Sequence, residues 1–254
     1  AIVHEILADD AKVNPEIEAA LRVDPDLAAA HAVLRRRIHH RGKIPEMLKH
    51  LDQEIAVASG EAAAVELLVE RARLLLASER IDEARDAWEL VLGRNPHHSA
   101  ALKGLETDLT RRTFVERGEK NELVPINDDD TYEDLVAHLG RMADAYSAQP
   151  NLAAWIHVER ARILEFRLGR VDAARGAFER AMRLDGSVGP VRDAFTLHCA
   201  AHHDTARLAP LLADESRLEP SSPRAARLEL DAATLAATLL GDEAGAISLL
   251  EHAA

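Results

Sequence analysis

Aromatic residues make up only 3% of this 254-residue sequence, and cysteine is nearly absent, with Cys199 alone. A single thiol excludes an intrachain disulfide framework and leaves the redox compartment open. With few aromatics among 47% hydrophobic residues, the apolar surface comes from Ala, Leu, Val and Ile, which suits close helix packing better than sheets. No run of about 18 apolar residues is present to span a bilayer. The opening Ala1-Ile2-Val3-His4-Glu5 lacks the charged-then-apolar order of a signal peptide. A soluble chain is expected, with the cytoplasm slightly favoured. Positive charge is in deficit, at 31 Lys and Arg against 44 Asp and Glu, a net −13. That deficit opposes nucleic-acid binding, which rests on counterion release by Lys and Arg, so a basic or neutral protein is the expected partner. Also missing are a glycine-rich phosphate loop, a nucleophile elbow and a carboxylate pair on strand ends, so neither a catalytic residue nor a cofactor is expected.

What is present repeats. Glu70-Arg71-Ala72-Arg73-Leu74-Leu75 returns as Glu159-Arg160-Ala161-Arg162-Ile163-Leu164, and Asp82-Glu83-Ala84-Arg85-Asp86-Ala87-Trp88 as Asp172-Ala173-Ala174-Arg175-Gly176-Ala177-Phe178. A weaker copy, Asp242-Glu243-Ala244-Gly245-Ala246-Ile247, follows. Asp82 and Asp172 lie 90 apart but Asp172 and Asp242 only 70, so an insertion enlarges one unit. Leu34 matches Leu105 at an offset of 71 and Met47 matches Leu135 at 88, which places about 17 extra residues near 113–130. The underlying period of 70 to 73 is twice that of a helical hairpin of about 34 residues. The expected layout is one domain over 1–254. Residues 1–26 end a preceding unit, 27–96 form unit one, 97–185 unit two with an inserted loop over 113–130, and 186–254 a truncated unit three.

Each hairpin carries helical stripes. Leu68, Ala72, Leu75 and Leu76 line one helix, and Ile81, Ala84, Trp88, Val91 and Leu92 its partner. Ala72 and Ala84 are small where helices must approach, Trp88 is large enough to fill the space between successive hairpins, and Pro96 follows the second helix. Ala161, Ala174 and Phe178 preserve this order, whereas unit three has Ala232, Ala244 and only Ser248. The pattern resembles the tetratricopeptide repeat, most clearly over 64–98 and 153–186 and moderately over 226–254. Hairpins 28–58, 99–149 and 188–219 are placed by periodicity. The resemblance implies an all-α class, an α-solenoid of antiparallel helical hairpins in a right-handed superhelix. It also implies a protein or peptide bound on the concave surface lined by the first helices.

On those helices Glu66 and Arg73 take outward positions, with Trp155 and Arg162 at the equivalent points. The arginines can grip ligand carboxylates through a planar fork and Trp155 can anchor an apolar group. The competing readings are salt bridges to Glu66, Glu70 or Glu159, and burial of Trp155 between hairpins. The inserted segment, with Gly118 and Pro125, is expected to be a loop whose Phe114, Val115, Leu123, Val124 and Ile126 dock on the solenoid or on a partner. Asp128-Asp129-Asp130 is expected to cap a helix starting near Thr131 rather than bind a cation. Among the histidines only His198 and His202 sit four apart on one face. Position 199 is Cys rather than the Glu of a zinc-protease helix, so no metal is expected. His157 stands where unit one has Leu68 and is expected to be a hydrogen-bonded or snorkelling histidine.

The sequence thus reads as a non-catalytic interaction scaffold, part of a larger protein. A recognition module of an enzyme whose catalytic domain lies elsewhere, and a self-assembling repeat protein, are the alternatives; the oligomeric state is left open.

Overall fold

The structure, a computed structural model, describes residues 10–40, 42–117, 122–187, 189–218 and 222–253. The expectations for the first nine residues, for Gly118 and for the last residue fall outside them. Among the described residues the chain forms α1 (Asp10–Val23), α2 (Ala28–His40), α3 (Ile44–Val57), α4 (Glu61–Ala77), α5 (Ile81–Arg94) and α6 (Ser99–Arg112). A short antiparallel pair, β1 (Phe114–Arg117) and β2 (Glu122–Pro125), follows. Then come α7 (Asp129–Ala145), α8 (Pro150–Phe166), α9 (Val171–Asp185), α10 (Gly189–Ala201), α11 (Thr205–Ser216), α12 (Pro223–Leu235) with a π-helical extension Ala236–Leu240, and α13 (Glu243–Ala253). The class is all-α, and helices adjacent in sequence pack on one another within each of two compact units, which end at Ile126 and start at Asn127 respectively.

The repeat is written in the turns. In α2/α3, α4/α5, α8/α9, α10/α11 and α12/α13 the residue two positions before the second helix takes a left-handed backbone: Gly42, Glu79, Gly169, His203 and Gly241, with φ of 64°, 60°, 62°, 55° and 68°. In four of these turns the next residue donates its N–H back across the helix end: Arg80 to Leu75, Arg170 to Leu164, Asp204 to Cys199 and Asp242 to Ala236, at 2.7 to 3.0 Å. This is the left-handed closure that satisfies orphan carbonyls and reverses the chain, so each pair must run antiparallel. Aligned on these residues, the third copy is offset by 72 from the second, since Gly169 matches Gly241. Ala174 therefore corresponds to Ala246, which is buried against Ala233 and Ala236, and not to Ala244, which is exposed. Matching Asp172 to Asp242 therefore sets unit three two residues out of register, because the acidic match does not include the turn.

The small-small-large pattern works as packing geometry. Ala72, Ala84, Ala161 and Ala174 are buried at helix crossings. Trp88 on α5 lies against Gly104 on α6, where an added Cβ would sit 2.6 Å from the indole Cε2. Phe178 on α9 instead meets Phe195 on α10, with ring centroids 5.9 Å apart. One hairpin accommodates the large residue by a glycine, the other by a second aromatic ring. Cys199 lies in the same apolar core, where burial, with Asp204 adding, pushes its thiol up to about 11.

The expected loop over 113–130 is instead a β-hairpin followed by the start of α7. Val115 pairs with Val124 and Glu116 with Leu123, and Ile126 N–H donates to the Thr113 carbonyl at 2.9 Å to close its base. Phe, Val and Leu flank a polar middle on both sides, a pattern that favours strands and is too short for a helical stripe. Pro125, lacking an N–H, sits at the terminal pair, where it interrupts nothing. α7 starts at Asp129, and Asp128 accepts a 2.5 Å bond from the Thr131 hydroxyl instead of from a backbone amide. The acids occupy the first turn, where the helix dipole favours them.

Candidate functional site

Helix α8 buries Ala153, Ala154, Val158 and Ala161 and turns the opposite side outward. That outer side carries Leu152, Trp155, Glu159, Arg162 and Phe166, spaced by three and four residues and therefore on one stripe. Trp155 is 38% exposed and Phe166 74%, so the tryptophan is neither buried between hairpins nor isolated. Arg162 is exposed and donates to Glu159 at 2.7 Å, a solvent-screened pair that is easily given up. On α4 the equivalent stripe is Ala63, Glu66, Glu70, Arg73 and Ala77, all exposed. Glu66 faces His98 at 3.7 Å, and Arg73 has no ion pair among the described residues. The structure thus puts Glu66 with Arg73 on one helix face of the first unit, and Trp155 with Arg162 on one helix face of the second. Only the second stripe carries large exposed apolar side chains, Leu152, Trp155 and Phe166.

Behind Trp155 the helix carries charge inward. His157 is buried, its Nδ1 has no hydrogen-bond partner, and burial, with Arg160 and Arg180 adding, pushes its imidazole below the usual histidine range. The histidine expected there to snorkel or hydrogen-bond is buried, held neutral, and makes no hydrogen bond through Nδ1. Arg160 lies beside Gly140 of α7, where an added Cβ would sit 3.7 Å from its Cζ in ordinary van der Waals contact.

The structure brings together two histidine clusters, each completed by a glutamate. In the first unit His31 Nδ1 lies 3.4 Å from His50 Nε2, and Glu54 binds Arg35. In the second, Glu165 at the end of α8 reaches across to His198 and His202, with its Oε1 3.1 Å from His198 Nδ1 and 2.7 Å from His202 Nε2. The i,i+4 histidine pair was legible. Glu165 was not, because it is 33 residues upstream and arrives only through helix packing.

The β-hairpin does dock in part. Phe114 and Leu123 join Ile81, Asp82, Arg85, Asp108, Arg111 and Arg112 around an open pocket of about 600 Å³. Its floor is the Arg85–Asp108 ion pair at 2.6 Å, with Asp108 nearly buried. This leaves a polar cleft rather than an apolar one, since the guanidinium and carboxylate saturate each other.

No protein-family profile matches the chain, and no curated protein is similar to it. Solved structures are similar at low identity. One is YrrB, described as a tetratricopeptide protein with an unusual peptide-binding site, at 13% identity over 83% of this chain and 96% of that one, TM-score 0.41. Another is MamA from Desulfovibrio magneticus RS-1, at 16% identity over 78% and 98%, TM-score 0.40. A third is a tetratricopeptide protein from Parabacteroides merdae, at 15% over 98% and 95%, TM-score 0.39.

Proposed function

We propose that this chain of tetratricopeptide-like helical hairpins is a non-catalytic protein-interaction scaffold, and that its partner binds on the outer stripe of α8. The observation that carries the reading is Leu152, Trp155 and Phe166 exposed on one helix face beside Arg162. Large apolar side chains left in water together on one face, with an aromatic and an arginine among them, have the composition of an interface centre. Arg162 exchanges Glu159 for a ligand carboxylate, and on α4 Arg73 offers its guanidinium and Glu66 its carboxylate to the partner. The net charge of −13 favours a partner whose flanks are basic.

The test compares the wild-type chain with a Trp155→Ala, Phe166→Ala double variant as baits, with captured proteins quantified by mass spectrometry and the leading one re-measured by calorimetry. The reading expects the double variant to weaken binding by at least about 2 kcal/mol while its circular dichroism is unchanged. Equal affinity of both baits for the same partner moves the site away from α8.

A further inference from the structure

We propose that Glu165, His198 and His202 form a binding site for a divalent transition-metal ion of the zinc class, fastening the end of α8 to the end of α10. Two imidazole nitrogens and one carboxylate oxygen converge, all within 4.8 Å of one another. Ligand atoms arranged tetrahedrally around zinc, at bonds of about 2.0 to 2.1 Å, stand about 3.3 Å apart. The observed 3.1 Å from Glu165 Oε1 to His198 Nδ1 is close to that spacing, and the 2.7 Å to His202 Nε2 needs only a small opening.

Three further features point to an ion rather than to a closed hydrogen-bond network. Although His198 Nδ1 is near the carboxylate, it is not aligned for a hydrogen bond, so this buried nitrogen is left without a partner. A buried imidazole nitrogen that lies beside a carboxylate without a hydrogen-bond partner is free to take a metal ion as its partner. The Glu165 side chain is only 6% exposed, yet no Lys or Arg pairs with it among the described residues; its two contacts are the imidazoles. A carboxylate withdrawn from water calls for a positive charge, and here its one hydrogen bond is from His202 Nε2 at 2.7 Å, a proton that a bound cation would replace. Finally, the site is held and reachable. The His198 ring packs on Phe178 with centroids 5.0 Å apart, the left-handed His203 turns the chain immediately after His202, and the His202 side chain is 34% exposed, leaving a fourth position towards solvent.

The histidine cluster of the first unit is built differently. There His31 Nε2 donates to the Pro25 carbonyl at 2.7 Å, so its Nδ1 is an acceptor for His50, and Glu54 already holds Arg35. That cluster is satisfied from within, and its cation is a guanidinium. Cys199, adjacent to His198, packs into the apolar core and does not join the set.

The experiment titrates the full chain with cobalt(II), reading its visible absorption, and then displaces cobalt with zinc. The expected result is one equivalent of cobalt with the strong absorption of a four-coordinate ion, and a zinc-dependent rise in melting temperature. Glu165→Gln and His202→Asn should each weaken binding by at least about tenfold, and His50→Gln should leave it unchanged. Both site variants are close in shape to the native residue, and His202 is exposed enough that its replacement retains the fold even if Glu165→Gln does not. Weak six-coordinate cobalt absorption, binding unaffected by His202→Asn, or binding lost in His50→Gln overturns the proposal.

Discussion

Replacing Gly104 with alanine sets two opposed terms on one atom. Inside α6 alanine is the better helix former by about 1 kcal/mol, so a methyl group in open space would stabilise. The new Cβ, however, would stand 2.6 Å from Cε2 and 2.7 Å from Nε1 of Trp88. Carbon contacts are optimal at about 3.5 to 4.0 Å, so the ring must retreat by about 1 Å. Trp88 is 3% exposed and packed between hairpins, and forcing such a shift in a close-packed core costs about 1 to 3 kcal/mol. The net expectation runs from neutral to about 2 kcal/mol less stable. Gly93→Ala is the control in the same unit, because no atom lies within 4 Å of the added Cβ and the residue is exposed near the end of α5. It should be stabilising by up to about 1 kcal/mol. Urea denaturation followed by circular dichroism measures both. The cycle closes with Trp88→Leu: in that background Gly104→Ala should recover the stabilising sign, since the ring it strikes is gone. A Gly104→Ala protein as stable as Gly93→Ala, with Trp88 intact, would refute the account of how successive hairpins interlock.

Ala72→Leu and Ala161→Leu should each lower stability by about 1 to 3 kcal/mol, since both alanines are fully buried at crossings, whereas Arg73→Ala and Arg162→Ala should stay within about 0.5 kcal/mol; thermal melts of the four variants distinguish the classes. Excising Phe114–Pro125 and joining Thr113 to Ile126 through two glycines should leave the helical circular dichroism per residue unchanged, because those two residues already meet at 2.9 Å and α7 keeps Asp128 at its start; loss of cooperative unfolding would show that the β-hairpin is integral. His157 has a lowered value in the folded state, so the unfolded chain binds its proton first. Stability is therefore full above the ordinary value of 6.5 and is lost as pH falls through the lowered one. His157→Leu, which restores the residue of the equivalent position in α4, should flatten that acid limb in a pH series of urea midpoints; an unchanged slope would place the titration elsewhere.

Much of the fold was legible because helix formation and hairpin packing are set by local spacing. Alanines at the crossings, an aromatic four residues later and stripes at helical intervals need only the helical period to be read, and Ala72, Ala84, Trp88, Ala161, Ala174 and Phe178 all lie where that period put them. The inserted segment was found by counting, although its strands were not, because two four-residue strands carry too little alternation to stand out. The outward placement of Glu66, Arg73, Trp155 and Arg162 was readable for the same reason. The Arg162–Glu159 pair was among the alternatives that the i,i+3 spacing offered, but that Arg73 makes no such pair among the described residues was not readable, since rotamer choice decides it. What the tertiary structure alone decided are the contacts between elements distant along the chain. Gly104 matters because the offset between hairpins sets it under Trp88, and the register of unit three follows from a left-handed turn at Gly241 rather than from its acidic match. Glu165 joins His198 and His202 only because α8 and α10 pack side by side. A helical period specifies which face a residue occupies, but the neighbour it meets there depends on the translation and rotation of a different helix, and those come from the sum of packing contacts across the unit.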